Sequence, residues 1–248
     1  TMLGLLAPVL GDELRWSEND YGNIVTAFQA AYAFGFLFMG WLIDRFGPKI
    51  GYAVAISIWT IGHVAHGFAG SVVSFMVARS ILGVGEAGHF PSVVRASSEW
   101  FPQKERSYAI GWVNSATTIG VILTAPTIAL FMRLLGFDWR ETFIFTGAFG
   151  IVLLLLWLRL YSNPRESGKG SAAELAWIEH DPPEQIARIG WGRIVTKREA
   201  WAFATAKFLT DPVWFLMLFW LPKYFSTTYN VDLKVVLLPM IVMYLLSD

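Results

Sequence analysis

The chain has 248 residues, of which 55% are hydrophobic and only 15% charged, and its mean hydropathy is +0.49. Nineteen Lys and Arg balance nineteen Asp and Glu, so no net charge points to nucleic acid. Low charge together with 12 Trp and 19 Phe excludes intrinsic disorder, and the absence of cysteine excludes a disulfide scaffold or a thiolate metal site.

Residues 1–11 (TMLGLLAPVLG) read as the tail of an apolar span, with no basic stretch of a signal peptide before them. No charge then occurs between Tyr21 and Ile43, Ile50 and Ala78, Ser107 and Met132, or Thr142 and Leu158. A helix needs roughly 20 apolar residues to cross the ~30 Å hydrocarbon layer. Buried soluble helices rarely run so long without a charge, because one face meets water. Complete spans are therefore expected at about 21–43, 50–69, 72–94, 107–133, 140–161 and 203–226, and residues 235–247 read as the start of another. The fold class is an all-α membrane protein, cut within helices at both ends: a partial first helix, helices two to seven complete, and a partial eighth.

The basic residues orient these spans. The segments 44–49, 95–106 and 159–199 hold twelve of the nineteen Lys and Arg. Excess Lys and Arg marks the cytoplasmic side, so these segments lie inside and 11–20 lies outside. The long connector carries a capping-box pattern, Ser171-Ala-Ala-Glu174, that predicts a short amphipathic helix stopped by Asp181-Pro182-Pro183. The organisation expected is an N-terminal six-helix bundle at 1–161, a cytoplasmic linker at 162–199, and the start of a second bundle at 200–248. That is the layout of transporters built from two parallel halves.

Polar residues inside the apolar spans carry the functional information, because an ionisable group at membrane depth is costly to keep. Arg79 and Glu86 lie seven residues apart, nearly two turns, on one side of the fourth span. One reading is a structural ion pair between helices. The other gives Arg79 to an anionic substrate and Glu86 to proton uptake and release. His89, one turn further, either packs between helices or modulates Glu86. Gln29 and Tyr32 in the second span, and Asn114, Ser115, Thr117 and Thr118 in the fifth, either contact a hydroxyl-rich ligand or bond to their own helices. Lys207 and Asp211 have the i, i+4 spacing of a pair on one helix. Trp214, Trp220 and Tyr224 are read as interfacial anchors or cavity walls, and His63 and His66 are expected at the headgroups. There is no HExxH, GxSxG or Walker A pattern and no legible cation cage, so neither an enzyme, a cofactor nor a metal is expected.

Several stretches resemble a known family. Gly40-Trp-Leu-Ile-Asp44-Arg45-Phe-Gly47-Pro-Lys49 resembles the loop 2–3 motif of the major facilitator superfamily, and Arg79-Ser-Ile-Leu-Gly83-Val-Gly85-Glu86 its fourth-helix Arg-Gly motif. Gly85-Glu86-Ala87-Gly88-His89-Phe90-Pro91, Glu99-Trp100-Phe101-Pro102 and Asp211-Pro212-Val213-Trp214 narrow the resemblance to the anion:cation symporters, most like their hexuronate branch. The resemblance implies proton-coupled symport of a sugar acid such as galacturonate or glucuronate. Arg79, Tyr32, Asn114 and Thr117 then match substrate positions and Glu86 the coupling acid. Aldonate carriers usually have Gln where Thr117 stands, which favours a uronate, and His89 departs from the usual Asn. The first-helix Asp-Arg pair of the family would fall before Thr1.

The partners expected are an organic anion, a proton and the lipid bilayer, with no nucleic acid, in a monomer at a bacterial inner membrane. The alternatives are a carrier of an aldonate or another carboxylate, or an inactive transporter fragment. The loop motif has its own physical reading: Asp44 facing Arg45 and Lys49 latches helices in one of two states, while Gly40 and Gly47 allow close approach and a tight turn.

Overall fold

A computed structural model describes residues 2–168, 170–178, 180–181, 191–221, 224–225 and 228. The expected eighth-span start at 235–247, and Pro182 and Pro183 of the linker, lie outside the described residues. All regular structure among the described residues is helical.

α1 (Met2–Leu14) lies at the centre. Its Leu3, Leu6 and Leu10 are almost fully buried in one core with Tyr21, Ile24, Phe28, Phe75, Trp139, Phe143 and Phe219. α2 spans Glu18–Ala65 and starts from a Ser17/Asp20 capping box. It is two arms rather than one rod. Gly47 has φ 80° and ψ 166°, a conformation open to glycine and foreign to a helix. Pro48 follows without an N–H, so the ladder breaks there as the Gly-Pro pair predicts. The arms at 18–46 and 48–65 account for the two spans expected on either side of Asp44.

α3 (Val72–Glu86) begins at a Ser71/Ser74 box, and α4 (His89–Trp100) continues it past a break at Ala87–Gly88. Pro91 supplies the reason, because its missing N–H leaves the Ala87 carbonyl without its helical donor. The single span expected at 72–94 is thus two helices. α5 (Gln103–Ala129) ends in a π turn at Leu130–Leu134, and α6 (Trp139–Leu160) starts from an Asp138/Glu141 box. The linker contributes α7 (Pro164–Ser167), α8 (Ala172–Ile178) and α9 (Trp191–Ile194). Ser171 caps α8 as expected, its hydroxyl accepting from the Glu174 N–H at 3.1 Å. α10 (Arg198–Phe219) is the last long helix described.

Backbones touch where glycine permits. A Cβ on Gly83 would lie 2.7 Å from the Phe28 carbonyl oxygen, and one on Gly85 would run into the backbone of Trp59. α3 is therefore gripped between the two arms of α2, the small-residue packing that membrane helices use when lipid supplies no hydrophobic drive. Gly40, expected to serve close approach, faces open space. The outer faces are apolar: Phe34, Leu37, Phe38 and Trp41 of α2 and Leu153, Leu155, Leu156 and Leu158 of α6 are all exposed. Apolar groups outside and small residues inside are the pattern of a helical bundle in lipid.

Glu18–Phe68, Gln103–Leu134 and Trp139–Leu160 are long and apolar enough to cross a membrane. Of the other expected spans, the one at 72–94 is divided because α4 is a separate helix from α3.

The end of the bundle expected to face the cytoplasm is stitched by polar contacts. Glu99 pairs with Arg95 at 3.3 Å and accepts from the Tyr161 hydroxyl at 3.0 Å. Trp100 Nε1 donates to the Ser162 carbonyl at 3.1 Å, and Trp177 of α8 reaches back to Glu105 at 3.2 Å.

Candidate functional site

Arg79 and Glu86 sit on the same side of α3 and meet different surroundings. Arg79 is only 4% exposed, with its guanidinium carbon 5.5 Å from the Phe28 ring centroid. Its Nε has no hydrogen-bond partner, and no carboxylate lies within salt-bridge distance among the described residues. The reading of Arg79 and Glu86 as a direct ion pair therefore does not hold in this conformation. A buried cation without a counter-ion costs several kcal/mol. Glu86, about 10 Å further along the axis, is exposed. The sevenfold spacing places both on one stripe, but Phe28 of the first arm covers only the outer part of it.

Tyr32 lies one turn inward of Phe28, half-buried, with their rings 5.9 Å apart. It is within electrostatic reach of both Glu86 and Asp211, and so stands between α3 and α10. Gln29 is half-buried and lines a groove of about 540 Å³ between the first arm of α2 and α10, with Lys207, Asp211 and Phe215 opposite. Lys207 and Asp211 pair within α10 at 2.7 Å, as their spacing predicts. On α5, Asn114 and Thr117 are exposed; the Thr117 hydroxyl donates to the Val113 carbonyl at 3.1 Å, and Ser115 bonds Gly111 in the same way. Self-bonding accounts for these hydroxyls in this conformation, while each oxygen keeps a free lone pair.

One expectation needs correction, and two open readings take one form in this conformation. His66 is not at the headgroups: it is fully buried, stacked on Phe143 with centroids 5.1 Å apart, and Nδ1 bonds the Gly62 carbonyl at 2.7 Å. His63 is bonded to Thr146 at 3.1 Å. The residues that bury them come from α6, which sequence position alone does not bring near. The Asp44 latch is also not formed. Asp44, Arg45 and Lys49 are exposed without an ion pair among the described residues; the Lys49 carbonyl instead accepts from Trp157 Nε1 at 3.0 Å. Finally, His89 points away from Glu86: its Nδ1 shares a hydrogen bond with the Tyr52 hydroxyl at 3.0 Å inside a cluster with Trp59. It is a packing histidine.

One functional contact was not legible in the sequence. The Tyr21 hydroxyl, buried, donates to the Phe219 carbonyl at 2.8 Å, and Trp220 and Phe219 lie edge-on to Tyr21 and Phe28. Residues 198 apart thus seal the outer end of the groove. Along the N-terminal part of α10, residues 201–210 are exposed among the described residues.

A family model described as Major Facilitator Superfamily matches residues 1–247. The chain belongs to the major facilitator superfamily. It is 32% identical to a galacturonate transporter of Dickeya chrysanthemi over 92% of this chain and 67% of that protein. It is 33% identical to the hexuronate transporter of Escherichia coli K12, over 92% of this chain and 54% of that one. A probable L-galactonate transporter of the same bacterium is 32% identical over 90% of this chain. The chain thus spans about half to two thirds of the length of these relatives. In fold it is similar to a bacterial homologue of the lysosomal transporter Spinster, with a TM-score of 0.71 at 20% identity over 95% of this chain and 53% of that one. The relatives are transporters of small organic anions, so a polytopic membrane transport protein is the shared description.

Proposed function

We propose that the protein is a proton-coupled symporter of a hexuronate, galacturonate or glucuronate, that works by alternating access in a bacterial inner membrane as a monomer. The observation that carries this reading is Arg79: a guanidinium buried within an apolar run with no carboxylate beside it among the described residues. Such a group is retained for an anion that comes and goes. The similarity to galacturonate and hexuronate transporters supports a sugar acid as that anion.

Each half-cycle then has a structural counterpart. With the outer seal open, Phe28 and Tyr21 move off Arg79 and the substrate carboxylate reaches it. Tyr32, Gln29, Asn114 and Thr117 offer hydroxyl and amide partners for the sugar hydroxyls. Glu86, exposed to the cavity, takes up the proton that accompanies the anion and loses it on the cytoplasmic side. The loop from Gly40 to Lys49, carrying Asp44, Arg45 and Gly47, biases the equilibrium between states by forming its latch when the cytoplasmic side closes. Residues 1–161 and those from 200 onward belong to the two moving halves, joined by the linker at 162–199.

The test is uptake in proteoliposomes holding the full-length protein. Arg79→Ala should abolish uronate binding, and unchanged affinity would remove it from the site. Glu86→Gln should lose accumulation driven by a pH gradient yet keep exchange of internal for external substrate; undiminished accumulation would sink the coupling role. The similarity to a probable L-galactonate transporter favours a second reading, an aldonate carrier. Competition of labelled galacturonate by aldonates and by simple monocarboxylates separates the two.

A further inference from the structure

We infer that Lys207 is a carboxylate-binding residue of the cytoplasm-open state, held by Asp211 until the substrate's carboxylate takes that acid's place. The inference rests on the reading above that the cargo is a sugar acid, and it adds a binding group from the second half of the molecule.

Four observations converge on it. Lys207 and Asp211 are paired at 2.7 Å on the wall of the groove that Gln29 lines from the opposite side. The pair lies within one helix, so among the described residues it is not a staple between helices. Lys207 lies about 14 Å along α10 from Arg198 and about 18 Å from Phe219, at the middle of the helix, where an ionisable group is kept for function. Finally, accessibility is opposite for the two cations in this state. Arg79 is 4% exposed beneath Phe28, whereas the Lys207 side chain is 55% exposed on the open side of the groove.

These facts divide the work between the cations. With the outer end sealed by Tyr21 and Phe219, a carboxylate in the groove cannot reach Arg79, and the accessible ammonium is Lys207. The anion exchanges one carboxylate for another at Nζ, so no charge is left bare at the lysine. Gln29, across the groove, presents an amide donor and acceptor to the sugar hydroxyls. The freed Asp211 then faces Tyr32, on the side of the cavity that also holds Glu86. When the outer seal opens, Arg79 is uncovered and takes over.

The experiment measures half-saturation for galacturonate from each face separately, with the full-length protein in proteoliposomes of defined orientation. Lys207→Gln is expected to raise the cytoplasmic-side value by about tenfold or more, the loss of a charged hydrogen bond. The outer-side value should stay within about threefold of wild type. Asp211→Asn is expected to move the cytoplasmic-side value the other way, because nothing then competes for the ammonium. Lys207→Arg keeps the charge and should stay near wild type, which separates loss of binding from loss of fold.

Three results would overturn the inference: Lys207→Gln unchanged on both faces, Lys207→Gln and Asp211→Asn shifting in the same direction, or full recovery in the swapped pair Lys207→Asp/Asp211→Lys. The last is the signature of a mere intrahelical salt bridge. Any of these with Arg79→Ala still inactive leaves the proposed function standing. A wild type that moves no sugar acid on either face removes both.

Discussion

α3 and α10 both carry charges at membrane depth, but the bundle holds them in opposite ways. α3 is gripped along its length: Gly83 lies against the Phe28 backbone, Gly85 against Trp59, and the Leu82 backbone against Gly62. α10 is held at its C-terminal end by Tyr21, Phe28 and α1, and residues 201–210 are exposed among the described residues. A helix locked by backbone contact cannot tilt without breaking many contacts together, because close-packed interfaces deform little. A helix held at one end can swing about that end. On the gripped element Arg79 is buried and Glu86 exposed, whereas on α10 both Lys207 and Asp211 are at least partly exposed among the described residues.

The largest effect expected from breaking this contrast is at Gly85. A Gly85→Leu change drives a side chain into the Trp59 backbone, which has no flexible end to yield. Overpacking of this kind costs about 1–3 kcal/mol or more. The folded, monodisperse fraction in detergent should fall sharply; a normal thermal midpoint would show that α3 is not gripped as described.

The movable side is sharpened by Tyr21→Phe, which removes the donor to the Phe219 carbonyl and leaves that carbonyl unpaired. A neutral hydrogen bond contributes about 1 kcal/mol net, so the outward-open population should rise about fivefold. Distance measurements by paired spin labels at the outer ends of α2 and α10 would read this. An unchanged distance distribution would mean that the aromatic packing alone closes the seal.

A smaller change is expected at Gly40, where open space lets alanine in without a clash. Gly40→Ala should raise the thermal midpoint, because alanine in a helix interior is favoured over glycine by up to about 1 kcal/mol. A loss of stability would restore the close-approach role that its motif suggests.

The smallest effect concerns the start of α2. The Ser17 hydroxyl, and then its N–H, hold the Asp20 carboxyl below the ordinary carboxylate range. A carboxylate with a depressed value stabilises the folded helix start above about pH 4, and that contribution is lost as pH falls through its lowered value. Ser17→Ala should bring the titration of Asp20, followed by carboxyl NMR shifts, back toward the ordinary value. An unmoved titration would show that the capping box does not set it.

Charge-free runs, the turn at Gly47 and the cap at Ser171 were legible because each depends on residues close in the chain. The burial of His66 was not. Its place near the end of an apolar run points to headgroups, yet Phe143 of α6 stacks on it from far along the chain. The tight glycines were also only partly readable. Gly83 and Gly85 stand in a small-residue motif, but Gly62 and Gly147 have no neighbouring signal and owe their role to the helix that crosses them. Of the site, Arg79, Glu86, Tyr32 and Gln29 stood out as polar groups in apolar runs, whereas Tyr21 did not, because its partner is a backbone carbonyl.

The sequence by itself determined that this is a helical membrane protein and which polar side chains lie within its apolar runs. Apolar length is a property of the chain read one segment at a time. Only the tertiary structure decided that Arg79 is covered while Glu86 is exposed, and that Tyr21 closes against Phe219. Accessibility belongs to pairs of helices, and no segment carries it alone.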